Sequence, residues 1–165
     1  MSKISPKTIE ELNHFFEVLE KVSVPKDPRE PRKLIFDLGL VIFESNSSLK
    51  VKDVLNLLPE GKARFFELKD RHDADNFLKE LVIANREGQW LLVDCQTDPP
   101  SGIIGILKQL GEDNSFTVPH FEEKELFQME LNPKTRIIVC INSDLLETKI
   151  TYPFFINLFG PVIRI

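Results

Sequence analysis

Five short, nearly continuous apolar runs constrain the fold most: Leu34–Phe43, Ala63–Leu68, Trp90–Val93, Arg136–Ile141 and Val162–Ile165. Apolar runs of this length without alternation are what strands covered on both faces look like. Burial on both faces belongs to parallel sheets with helices on each side. Candidate helices separate the runs: Val51–Leu58, Ala74–Glu87 with Gly88 as its stop, Ser101–Leu110 with Gly111 as its stop, and Tyr152–Phe159. Strands alternating with helices imply an α/β fold, a three-layer sandwich around a mostly parallel five-stranded sheet. At 165 residues the chain suits one domain of ordinary size.

Two segments stand outside this alternation. Ser115–Val118 and Leu126–Leu131 flank the acidic stretch Pro119–Glu125 and read as a β-hairpin between the 101–110 helix and the 136–141 strand. At the amino terminus, Ser5-Pro6 opens a helix, with Thr8-Ile9-Glu10-Glu11 as a second possible start. Ile9, Leu12, Phe15, Phe16 and Leu19 form one face of this helix, which ends near Lys21. Pro25–Lys33, with prolines at 25, 28 and 31, is a connector that cannot be helical. The expected organisation is therefore a helical extension packed on the outside of the main body, with its connector (1–33), and an α/β core (34–165).

Charge narrows the function classes. Lys and Arg number 21 against 26 Asp and Glu, a net charge of -5, which makes the chain a poor nucleic-acid binder. Residues 112–130 hold six acids against Lys124 alone, the whole surplus, and read as a solvated loop or face. No stretch approaches the ~20 apolar residues of a membrane span, and none reads as a signal peptide. Cys95 and Cys140 lie in or beside apolar runs and read as buried, reduced thiols. His14, His72 and His120 have no ligand spacing. These features lead us to expect a reducing, cytoplasmic setting and protein partners, without nucleic acid, membrane, resident metal or cofactor.

Ligands of open parallel sheets bind beyond the carboxyl ends of the strands, so the residues leaving each strand are the candidates for chemistry. The first strand leads into Glu44-Ser45-Asn46-Ser47-Ser48-Leu49-Lys50-Val51, which has the position and length of a phosphate loop. With Lys50 set on the lysine of that motif, Glu44 and Leu49 occupy its glycine positions and Val51 its hydroxyl position. Glycines let N–H groups close around phosphate oxygens, Glu44 adds charge of the wrong sign, and Val51 offers Mg²⁺ no oxygen. A Ser/Asn-rich turn with a capping hydroxyl is the simpler reading. Leu91-Leu92-Val93-Asp94 resembles a Walker B strand whose aspartate faces a metal, but Cys95 follows where hydrolysing enzymes place a glutamate. Asn142 sits where a polar sensor would, or simply forms a turn.

Together, Gly88-Gln89-Trp90-Leu91-Leu92-Val93-Asp94, the helix and hairpin after it, Asn132-Pro133-Lys134-Thr135-Arg136-Ile137-Ile138-Val139 and Asn142 resemble the second half of an AAA+ module. The dynein heavy chain and midasin group is the nearest in character. Asp73–Glu87 matches the helix before the Walker B strand, and Tyr152–Phe159 is similar to the segment that carries an arginine finger. The resemblance covers roughly residues 34–165. Its departures agree with one another: the loop glycines are absent, Cys95 replaces the glutamate, Leu158 replaces the finger arginine, and the chain stops where a helical lid would begin. What it implies is a catalytically dead module in a structural or protein-interaction role. If residual nucleotide binding exists, Lys50 would meet a phosphate, Asp94 a metal, and Asn142 a water.

Three other readings compete. A receiver-like, flavodoxin-type domain would use Asp94 as phospho-acceptor, followed by Pro99, Pro100 and Gly102, but Phe43-Glu44 does not supply its acid pair. An enzyme with an unrecognised site would need a constellation that is not visible. An adaptor would present Phe154, Phe155 and Phe159 as an apolar surface. Strand order separates the first two folds: the first strand lies between the last two in AAA+ sheets, and between the second and third in receivers.

Overall fold

Every residue of β1 (Leu38–Phe43) is buried, as a strand packed on both faces requires. The computed structural model describes residues 4–20, 37–70, 72–120, 125–147 and 155–165. The order is α1 (Pro6–Glu20), β1, α2 (Val51–Leu55), β2 (Ala63–Leu68), α3 (Ala74–Glu87), β3 (Trp90–Cys95), α4 (Ser101–Asp113), β4 (Ser115–His120), β5 (Glu125–Glu130), β6 (Ile137–Asn142), α5 (Ser143–Glu147) and β7 (Val162–Arg164). Five strands form one sheet in the order β2-β3-β6-β1-β7, and every pairing in it is parallel. Counted within this sheet, the first strand lies between the last two. The receiver order is not the one found.

The strand period of two splits the core into two clusters. Leu38, Leu40 and Ile42 face one side and pack with Phe77 and Leu81 of α3 and Ile103 and Leu107 of α4. Val41 and Phe43 face the other, with Leu92, Ile138 and Cys140, under α1 and α2. The result is the expected three-layer α/β sandwich.

The amino-terminal helix does more than extend the body. Ser5 caps it, its Oγ accepting the Thr8 N–H at 3.2 Å, so the first of the two possible starts is used. Leu12, Phe15, Phe16 and Leu19 are all buried and form part of the second cluster. The approach is close because residue 39 is glycine: a Cβ there would lie 2.7 Å from Phe15 Cζ and 2.9 Å from Leu19 Cδ1. α1 covers sheet that the β1–β2 connection cannot, because α2 spans only five residues. Pro59 follows, and tight turns rather than helix complete the expected 51–58 segment.

Two helix stops differ in kind. Gly88 takes φ 65° after α3, as expected. Gly111 does not stop α4. The helix runs to Asp113, and Asn114, at φ 52°, supplies the left-handed residue. The hairpin β4–β5 forms its own two-stranded sheet. Its base is held by Leu131 N–H donating to Asn114 O at 2.8 Å and by Asn85, whose Nδ2 donates to Glu130 O at 3.1 Å. The proline-rich connector, most of the Pro119–Glu125 stretch and residues 152–154 of the 152–159 segment lie outside the described residues.

Candidate functional site

The carboxyl ends of β1, β2, β3 and β6 surround a cavity of about 580 Å³. Lys50, Asp94 and Asn142, the three positions singled out from sequence, all line it, with Glu67 and Gln96. Tertiary structure thus brings together residues that lie 44 and 48 positions apart in the chain.

The loop entering this cavity is closed on itself. Glu44 N–H donates to Ile165 O at 2.8 Å, and the Glu44 carboxylate meets Arg164 Nη1 at 3.3 Å. Ser47 N–H donates to Glu44 O at 2.9 Å, and Leu49 N–H to Ser47 Oγ at 3.2 Å. Lys50 N–H donates to the Asp53 carboxylate at 2.8 Å. The expected hydroxyl therefore caps the turn, while a carboxylate caps the helix. An anion cradle needs consecutive N–H groups turned to one side by alternating right- and left-handed residues. None of residues 44–50 has positive φ: among the described residues only Gly61, Gly88 and Asn114 do. Asp53 thus takes the Lys50 N–H at the start of α2.

Asp94 is the penultimate residue of β3. Its register partners are Glu67 on β2 and Cys140 on β6, which puts the three side chains in one row on one face of the sheet. The Gln96 side-chain amide bridges the two acids, donating to Glu67 Oε2 at 3.2 Å and to Asp94 Oδ2 at 3.3 Å. Lys69 Nζ lies 3.2 Å from the same Glu67 oxygen. Partial burial raises the Asp94 pKa above the ordinary carboxylate value, the Gln96 hydrogen bond opposes this, and the Glu67 charge adds to it.

Asn142 ends β6 as the register partner of Phe43, two residues beyond the level of Asp94. Its Oδ1 accepts the Asp144 N–H at 2.8 Å, the turn-forming role, at the entry to α5. Cys95 packs with the cluster on the α3/α4 side and Cys140 with the one on the α1 side, so the two thiols form no disulfide with each other. Cys140 is fully buried, and desolvation pushes its pKa well up.

Elsewhere, Phe155 and Phe159 are buried and pack edge to face at 5.1 Å, so they do not form the adaptor surface considered from sequence. Phe154 lies outside the described residues. Leu158 packs against the core. Sequence reasoning missed Asp53, Glu67 and Gln96. The first had a signal, an acid three residues after the cap position; the other two become neighbours of Asp94 only through strand register and the turn after β3.

Among the described residues no group of three or more His, Cys, Asp or Glu could hold a metal ion. No described helix is long and apolar enough to cross a membrane. Neither protein-family models nor curated proteins yield a match to this chain.

Proposed function

We propose that the chain is a non-catalytic AAA+-like module with a structural or protein-interaction role in a larger dynein- or midasin-like ATPase assembly. Its partners would be proteins, neighbouring AAA+ modules among them. The sheet order, with the first strand between the last two, and the hairpin between α4 and β6 support the family reading. The observation that carries the non-catalytic reading is the loop from Glu44 to Asp53. Its N–H groups at 47, 49 and 50 are spent within the loop and on Asp53. A triphosphate would have to displace a carboxylate and then sit beside Glu44, without left-handed residues to turn amides toward it. Asp94 lacks the following glutamate that would activate water, and its other neighbour in the row is Glu67.

The test is the melting temperature of the purified chain with ATP or ADP and Mg²⁺. No shift is expected. A rise of several degrees at millimolar nucleotide would overturn the non-catalytic reading, because a ligand that binds only the native state must stabilise it.

A further inference from the structure

We propose that a second cavity, at the amino-terminal end of the sheet, binds a carboxylate-bearing ligand. It encloses about 320 Å³ and is lined by Glu20, Lys62, Trp90, Lys134 and Arg136, with Gly88 and Pro133 at its edge. It lies at the far end of the strands from Asp94 and does not rest on the reading above.

Arg136 carries the argument. It is only 2 % exposed, yet it lines the cavity. Its Nε donates to Leu19 O at 2.7 Å, and Nη1 to Pro133 O at 2.7 Å and Thr135 O at 2.8 Å. Asp37 Oδ1 is 3.9 Å from the same Nη1, an ion pair without a close hydrogen bond. Nη2 donates to no acceptor among the described residues. Among the described residues Nη2 is thus the guanidinium nitrogen left with N–H donors, and it can give a charge-assisted hydrogen bond to one carboxylate oxygen.

The surrounding charge agrees. Of the three cations that line the cavity, Lys62 is paired with Glu20 and Arg136 with the buried Asp37, which leaves the charge of Lys134 in excess. Lys134 has no carboxylate partner among the described residues. Helices α1 and α3 both end here, and their carbonyl ends attract cations. Several of those carbonyls are already met, however: Leu19 O by Arg136, Asn85 O by Asn132 Nδ2, and Ala84 O by Thr135 Oγ1. They therefore leave Lys134 and the Nη2 edge to a ligand.

The chain carries its own probe, because Trp90 is its single tryptophan and Lys62 Nζ lies 4.9 Å from the ring centroid. The experiment is a titration of the full chain by Trp90 fluorescence. It uses succinate, an acetylated oligoglutamate peptide, and neutral succinamide, all at ionic strength matched with KCl. A saturable change with succinate assigns the site to a small carboxylate, and a change with the peptide alone assigns it to an acidic protein segment. Lys134→Gln, an exposed change that should leave the fold intact, is expected to weaken either by about 2–5-fold. No saturable change with either carboxylate, an equal response to succinamide, or an unaltered response in Lys134→Gln would overturn the proposal.

Discussion

The Asp53 carboxylate accepts the backbone N–H of Lys50 at 2.8 Å, so the start of α2 already holds an anion that belongs to the chain. This contact makes the helix start self-sufficient. Asp53→Ala should therefore destabilise the protein by about 1 kcal/mol, the usual worth of a cap, lowering Tm by roughly 2–4 °C. Thermal melts with and without Mg-ATP check it. The nucleotide should still give no shift, because the loop lacks left-handed residues even when the carboxylate is gone.

Gly39 sets how closely α1 approaches the sheet. Gly39→Ala puts a methyl group against Phe15 Cζ and Leu19 Cδ1, both on buried side chains, and should cost about 1–3 kcal/mol. In a double-mutant cycle with Phe15→Ala, the combined loss should be smaller than the sum by about 1 kcal/mol, since the truncation makes room for the methyl. Urea denaturation of the four proteins measures this. Strict additivity would mean that α1 does not rest on Gly39.

Arg136 and Asp37 are both nearly inaccessible. Arg136→Leu leaves Asp37 without its nearby charge and removes the donors to Leu19 O, Pro133 O and Thr135 O, so a loss of about 3–5 kcal/mol is expected. Adding Asp37→Leu should recover part of it, because a buried carboxylate that has lost an ion pair costs more than an apolar side chain. Chemical denaturation reads both, and a double variant no more stable than Arg136→Leu alone would contradict the pairing.

Asp94 makes a pH prediction. Its folded pKa is raised, mainly by burial, so the carboxylate is disfavoured in the native state. A raised acid destabilises the fold at pH above its folded pKa, and that penalty is relieved as pH falls through the folded value toward the ordinary carboxylate range. Asp94→Asn should therefore be more stable than the parent at neutral pH, and the difference should shrink on acidification. Because the group is half exposed, the effect should be modest. Denaturation midpoints from neutral to mildly acidic pH check the sign; a variant less stable at neutral pH would reverse it.

Much of this was legible in the chain. β2 and α3 have the residues that the apolar runs and helical periods indicated, because both elements are defined by local chemistry: a six-residue run, and a helix ending on Gly88. β1 reads as a both-face strand because each of its residues is apolar or glycine. The closed loop after it was half legible. The missing glycines argued against a phosphate cradle, while the carboxylate that takes the Lys50 N–H came from Asp53, one turn into the helix.

The sequence by itself determined the strands of the sheet, the hairpin and α3, since periodicity and glycine placement act over a few residues; it gave no sign of α5 and overextended α2. Tertiary structure alone decided the strand order, the role of α1 as a wall of the sandwich, and the alignment of Glu67, Asp94 and Cys140 in one row. Those depend on pairings between residues tens of positions apart, where register and packing choose among partners that are equally apolar along the chain.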